Sequence, residues 1–389
     1  VRPVTLNTWE AVYFSHDLDT LRELATAAAE VGIERFVLDD GWFGGRRNDR
    51  AGLGDWFVSP DVWPEGLHPL IDHVRALGME FGLWFEPEMI NIDSELARAH
   101  PEWIMGTGEV LPVEARQQQS LNLGIPECYA HIRDAMCAVL DEYDIAYIKW
   151  DHNRDTADAA PRRPGEPAMH EQTLAYYRLV AELKSRYPGL EIESCASGGG
   201  RIDLGALENT DRVWASDNND PLDRQRINRW TAQLVPPEMI GAHIADGASL
   251  PFRALTPLFG HLGIEWDLRH ASDEERRELT EWIALHKEAR SLLHHGDIVR
   301  LDHPDESVFV HGVVAHDRSA ALYSLVSMSA AAVSNPGRLR FPGLDADARY
   351  LVEPLPIGST MNHMQPAPWW QHAPLELSGA ALGSAGLVA

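Results

Sequence analysis

The 389-residue chain carries 33 Lys and Arg against 59 Asp and Glu, a net charge of -26, with 44% hydrophobic and 24% charged residues. That balance describes an ordinary globular chain with room for one large domain and a smaller one, and it excludes the basic footprint that nucleic acid or an anionic membrane requires. Cys128, Cys137 and Cys195 are too few and too odd in number for a disulfide framework, and no run approaches the ~18 apolar residues of a membrane span.

Apolar runs that end on polar residues alternate with helix-like stretches along the chain. Leu6–Phe14 is the first strand candidate, and a helix is expected over Thr20–Val31. Phe36–Trp42 follows and contains Asp39-Asp40-Gly41-Trp42. Adjacent strand residues point to opposite faces, but at a strand terminus both acids can turn into one pocket. After a helix over Gly66–Leu77, the run Phe81–Glu88 closes on Trp84-Phe85-Glu86-Pro87-Glu88. An aromatic beside carboxylates suits a sugar, with the ring over C–H groups and the acids on hydroxyls. The helix Glu127–Tyr143 carries Cys128 and Cys137 as packing residues.

Ile145–Asp151 reads as a buried strand ending on an acid. Its period of two puts Ile145, Tyr147, Lys149 and Asp151 on one face. Charges there are costly unless paired, solvated or used. A helix over Glu171–Tyr187 leads to Leu190–Cys195, where Glu193 and Cys195 share a face. The turn Gly198-Gly199-Gly200-Arg201 permits close backbone approach to a ligand. It fails as a dinucleotide fingerprint, because Asp203 stands where Gly or Ala is needed. Val213–Asp217 repeats the design of a strand ending on an acid. A helix over Asp223–Leu234, a strand over Met239–Ile244, an ill-defined stretch at Phe252–Gly260 and a strand near Leu262–Leu268 follow. The helix Ser272–Leu293 opens with a capping box from Ser272 to Glu275.

Strands alternating with helices imply a parallel sheet. About eight strands over roughly 270 residues match a (β/α)8 TIM barrel, for which ~250 residues is typical, with the polar residues at the strand C-termini where barrel sites lie. A doubly wound open sheet is the alternative. After Gly296 the pattern changes to short strands at Val299–Leu301, Val308–Val314, Ala320–Val326, Leu339–Phe341 and Tyr350–Val352. These predict a small C-terminal antiparallel β-sandwich domain, so the division is 1–296 for the α/β catalytic domain and 297–389 for the β domain. The composition of the tail from Pro366 to Ala389, rich in Pro, Ala and Gly, leaves its order open.

Two carboxylates on separate strand ends are the minimum machinery for splitting a glycosidic bond. Asp151 beside Lys149 should stay ionised and suits the nucleophile. Asp217 lacks a sequence-adjacent cation on its own face, and its pKa should rise to suit an acid/base. Arg201 or Arg212 would reverse this if either reached Asp217. Asp39, Asp40, Glu86, Glu88, Asp151 and His152 are candidates for a hard cation. However, there is no HExxH or CxxC pair, and Lys149 would oppose a cation. No metal and no other cofactor is expected. No GxSxG elbow supports a serine hydrolase.

The motifs Asn7-Thr8-Trp9-Glu10-Ala11, Asp39-Asp40-Gly41-Trp42-Phe43, Trp84-Phe85-Glu86-Pro87-Glu88, Lys149-Trp150-Asp151-His152-Asn153, Glu193 to Arg201 and Ser216-Asp217-Asn218 occur in that order. Together they resemble the glycoside hydrolase family 36 α-galactosidases, from Val1 to about Asp302. The resemblance implies retaining hydrolysis of terminal α-galactosides of the melibiose or raffinose type, without a metal. It implies Asp151 as nucleophile, Asp217 as acid/base, and Asp39 and Asp40 on distal sugar hydroxyls. Trp84, Arg116, Lys149, Asn153, Cys195 and Gly198 are the further sugar-binding positions it implies. Cys195 and Gly198 match the pair near the 2-hydroxyl that separates galactosidase from N-acetylgalactosaminidase.

Asn219 stands where many relatives have Thr, and Asn228-Arg229 where Ile-Gln is commoner. The family's large N-terminal β domain does not precede Val1 here, which sets the expectation of an excised or processed chain. The expected partner is a small galactoside or oligosaccharide, with a homo-oligomer in the full-length protein. No leader-like segment is seen, and a cytoplasmic location is expected. Rival readings are transfer of galactose to another sugar, α-N-acetylgalactosaminidase activity, and a sugar-binding domain inactive without its N-terminal partner.

Overall fold

Every strand of the first 265 residues is short and almost wholly buried, and each is followed by helix. In this computed structural model residues 2–388 are described, apart from 108–109, 157–159, 161–165, 331–336, 356 and 358–367. The barrel strands are β1 Thr5–Asn7, β2 Arg35–Leu38, β3 Glu80–Phe85, β4 Tyr147–Trp150, β5 Glu191–Ser194, β6 Arg212–Trp214, β7 Ile240–Ala245 and β8 His261–Glu265, and Met89–Ile90 pairs separately with Gln119–Ser120. The barrel strands pair in parallel with their chain neighbours, and β8 returns to β1, which closes the barrel. The main helices after each strand are α1 Leu18–Val31, α2 His68–Ala76, α3 Pro126–Glu142, α4 Met169–Arg186, α5 Leu204–Asn209, α6 Pro221–Thr231, α7 Leu250–Leu255 and α8 Asp273–His295. The chain is therefore a TIM barrel with a β region after it.

The period of two explains the layering. Leu6, Phe36, Leu38, Phe81, Leu83, Ile148, Trp150, Ile192, Ile244 and Ile264 join apolar helix residues such as Leu24, Leu70, Ile132, Leu179 and Ile283 in one buried core. The alternate residues fill the barrel with charge. Arg212 pairs with Glu193 at 3.0 Å and donates to Tyr147 Oη at 3.3 Å. Arg35 at the lower end reaches Glu191 at 2.7 Å. Such large polar side chains need bare backbone opposite: a Cβ on Gly241 would lie 2.5 Å from Arg212 Nε, and one on Gly263 would lie 2.3 Å from His243 Cδ2.

Helix boundaries agree with the amphipathic pattern to within a few residues, and the Ser272–Glu275 capping box forms. Three readings need correction. The run Leu6–Phe14 is not one strand: β1 stops at Asn7 and Trp9–Val12 is a helical turn. There Trp9 packs edge-on against Tyr13 and Phe14, so its apolar residues answer local ring packing rather than the sheet. α5 and α7 lie outside the expected helices because six residues are too few to display a helical period. The last strand ends at Glu265, and Leu268–His270 forms a single 3-10 turn.

Beyond α8, strands β9 Asp297–Asp302, β10 Val308–Val314 and β11 Ala321–Ser327 form an antiparallel sheet in that order. Two short ladders follow, Arg338–Leu339 with Leu387–Val388 and Arg349–Val352 with Leu375–Ser378. Arg229, on α6, donates to the carbonyls of Val310 at 3.1 Å and Leu301 at 3.2 Å, joining barrel and sheet. Among the described residues no helix is long and apolar enough to cross a membrane.

Candidate active site

The C-terminal ends of β2, β3, β4, β5 and β6 deliver the acids named from sequence to one end of the barrel. Asp39 and Asp40 follow β2 directly, and both are buried. Asp39 Oδ2 accepts from Lys149 Nζ at 2.8 Å. Burial pulls the Lys149 pKa down, but the carboxylates of Asp39, Glu265 and Asp151 together hold it well above the usual lysine value, so the ammonium persists. The direct partner of Lys149 is thus Asp39, across the barrel, and its effect on Asp151 is a field rather than a bond. Asp40 is gripped by Arg46, whose Nη2 lies 2.8 Å and Nε 3.0 Å from the carboxylate oxygens. Burial and the neighbouring acids Asp39 and Asp151 raise the Asp40 pKa against the pull of Arg46.

Asp151 follows β4 and is surrounded by donors. Its Oδ2 accepts from Trp84 Nε1 at 3.2 Å and Asn153 Nδ2 at 2.6 Å, and its Oδ1 accepts from the His152 backbone N–H at 2.8 Å. Burial opposes ionisation, but the Lys149 ammonium, the Cys195 thiol, Asn153 and the His152 N–H outweigh it and hold the pKa below the ordinary aspartate value. Burial and the Asp151 charge push the Cys195 thiol well up, so it remains a donor. Trp84 is buried among Phe43 and Trp56 rather than lying open as a ring platform, and its visible contribution is the N–H to Asp151.

Asp217 lies three residues beyond β6 and is open to solvent on one side, with its Oδ1 accepting from Trp214 Nε1 at 3.1 Å. The atoms crowding its inner side, and then the Asp151 charge, raise its pKa despite Lys149, Arg116 and the Trp214 bond. The two strand-end aspartates are therefore driven in opposite directions. Neither arginine singled out from sequence alters this, because Arg201 pairs with Glu88 at 2.7 Å and Arg212 with Glu193.

The remaining expected residues hold the loops together. Arg116 Nη1 donates to Asn153 Oδ1 at 2.8 Å and Ser197 Oγ at 3.0 Å, linking the loops after β3, β4 and β5. Gly198 has φ +83°, and a Cβ there would lie 2.6 Å from Ser216 Cα and 2.7 Å from the Asp217 nitrogen. Its bare backbone lets the loop after β5 lie against the peptide that carries Asp217.

Two buried groups, Arg46 and Glu265, were missed. Arg46 sits beyond Gly44-Gly45, six residues after Asp40, with no strand pattern to mark it. Glu265 ends β8, where the strand-end rule applies, and joins Asn7 at 3.0 Å and His243 at 2.8 Å. Asn219 donates to Glu10 at 2.8 Å and to Glu265 at 3.3 Å, which ties the loop after β6 to the turn after β1. Among the described residues no three of His, Cys, Asp and Glu converge so as to hold a metal ion.

Comparison with known proteins gives the site a context. The family model Melibiase matches residues 1–296. A curated relative, "Alpha-galactosidase" of Escherichia coli, is 44% identical over 401 residues, covering 100% of this chain and 56% of its own length. Among solved structures, the GH36 α-galactosidase AgaA of Geobacillus stearothermophilus superposes with a TM-score of 0.91 at 34% identity, over 100% of this chain and 53% of that one. An AgaA variant solved in complex with raffinose gives a TM-score of 0.89 at 32% identity, again over 100% of this chain and 53% of that one. The chain spans about half the length of the curated relatives it matches.

Proposed function

This chain belongs to the melibiase family, represented among solved structures by glycoside hydrolase family 36 α-galactosidases, and from that premise we propose that it hydrolyses terminal α-galactosides of the melibiose or raffinose type with retention. The observation that carries the reading is the opposed pair at the barrel mouth: Asp151 held ionised by four donors and a cation, Asp217 biased toward its protonated form. Asp151 attacks the anomeric carbon as Asp217 passes its proton to the departing oxygen. Asp217 then takes a proton from water as that water breaks the glycosyl ester. Asp39 with Lys149, and Asp40 with Arg46, present fixed charges to the sugar hydroxyls. Trp84, Asn153 and Cys195 orient the nucleophile, while Arg116 and Gly198 shape the rim. The E. coli relative's name and the raffinose bound to the AgaA variant support the substrate class.

The test is chemical rescue. Asp151→Ala is expected to lose hydrolysis of an aryl α-galactoside and to recover with azide, giving the β-galactosyl azide. Asp217→Ala with a dinitrophenyl leaving group is expected to give the α-azide, because azide there attacks the glycosyl ester. Ordinary activity in clean Asp151→Ala protein, or products of the opposite configuration, would overturn the assignment.

A further inference from the structure

Glu86, just beyond β3, is fully buried, with no exposed surface. Its Oε1 accepts from the backbone N–H of Asn153, a close contact, and from Gln118 Nε2 at 3.3 Å. Its Oε2 is buried and has no hydrogen-bond partner among the described residues. Asn153 in turn donates from Nδ2 to Asp151 Oδ2 at 2.6 Å and accepts from Arg116 at 2.8 Å. One residue thus stands between Glu86 and the carboxylate assigned to the chemistry.

The two oxygens have different surroundings. An anion would leave one charged oxygen buried and unpaired, which is expensive. A neutral acid keeps its carbonyl oxygen at Oε1 to accept from Asn153 and Gln118 and leaves only an uncharged hydroxyl at Oε2, which costs less to bury unpaired than a charge. The charged groups acting on it are Asp151 and Asp40, which disfavour ionisation, and Arg46, which favours it.

We propose that Glu86 is a positioning residue that works as a neutral acid, anchoring the Asp151-His152-Asn153 turn through Asn153 and so fixing the orientation of the Asp151 carboxylate. The proposal rests on the reading of Asp151 as nucleophile. It makes Glu86 a support behind the Asp151 turn, acting only through Asn153. Burial, and then the Asp151 charge, push the Glu86 pKa up to about 8, in keeping with a proton retained at neutral pH. A carboxyl whose folded pKa exceeds its unfolded value destabilises the fold increasingly as pH rises between the two, so the native protein should lose stability from about pH 4.5 to about pH 8 through this group.

The experiment compares Glu86→Gln, Glu86→Leu and Glu86→Asp in the full chain. Gln reproduces an acceptor at one position and a donor at the other. It is expected to keep kcat within about threefold of the parent at pH 6.5 and to gain melting temperature relative to the parent as pH rises toward 8. Leu keeps the bulk but removes the acceptor, and is expected to lower kcat about 100-fold with KM changed less than about twofold, as for a misaligned reacting group. Should the Leu protein not fold, Asp retracts the acceptor by one methylene and is expected to lower kcat at least tenfold.

Glu86→Gln as impaired as Glu86→Leu, or Glu86→Leu and Glu86→Asp both with parental kcat, would overturn the proposal. Azide rescue of Asp151→Ala is read separately. Its failure removes the nucleophile assignment, whereas its success beside a parental Glu86→Leu removes only the role of Glu86.

Discussion

Lys149 shows what a single residue contributes and where a reading from neighbours falls short. Sequence placed its ammonium on the same strand face as Asp151, but its bond goes to Asp39. Replacing it with Met leaves Asp39 buried without its cation and removes the largest charge holding Asp151 low. Asp217 offers the cleaner measurement. With Asp217 as the proposed acid, its raised pKa keeps its proton above the usual aspartate range and loses it as pH climbs through the shifted value. The lowered pKa of Asp151 puts the acid limb below that range. For a substrate with a poor leaving group, kcat/KM is expected to be bell-shaped. In Asp217→Ala acting on a dinitrophenyl galactoside the alkaline limb should vanish. An alkaline limb left in place by that change would assign the acid to another group. The position of both aspartates just beyond barrel strands was legible in the sequence, because charges ending a buried strand stand out. The direction of each pKa was legible only in part, since the thiol, indole and amide donors around Asp151 come from β3, β5 and the loop beyond β4.

At the scale of elements, strand ends and loops divide the work. Alternation along β4 to β6 sends one set of side chains to the helices and the other to the axis, and this rule is local enough to read from a few residues. The loops are not. Gly198 matters because the loop after β5 presses on the backbone of Ser216 and Asp217, an adjacency no local pattern announces. Gly198→Ala, which adds a Cβ at positive φ against that backbone, is expected to displace Asp217 and lower kcat about 100-fold while the far-ultraviolet circular dichroism stays parental. A kcat within twofold of the parent would show that the loop yields without moving the acid. The short α5 and α7 were invisible for a related reason: six residues do not display a period, and their position is set by the strands they connect.

Across the whole molecule the barrel and the C-terminal sheet meet through a few specific contacts. We propose that the domain division falls between residues 296 and 297, where α8 ends and β9 begins. Arg229 is one joint, donating to two carbonyls of the sheet with its guanidinium over the Phe309 ring at 4.9 Å, beside the Phe259–His311 ring contact and Val313 in the barrel core. Arg229→Ala strands those acceptors, and a loss of about 1–3 kcal/mol is expected, read as a melting temperature lower by a few degrees with kcat unaltered. An unchanged melting temperature would show that the sheet is held by other contacts. By itself the sequence determined the alternation of strand and helix, the strand-end acids and the change of texture near Gly296, because periodicity and buried charge are local properties of the chain. Tertiary structure decided that Lys149 serves Asp39, that Arg46 grips Asp40, that Glu86 stands behind the Asp151-His152-Asn153 turn and that Glu265 ties β8 to β1 and β7. Apart from Asp40 and Arg46, which share the loop after β2, these pairs join residues from separate elements or loops, and only closure of the barrel sets the distances on which their electrostatics depend.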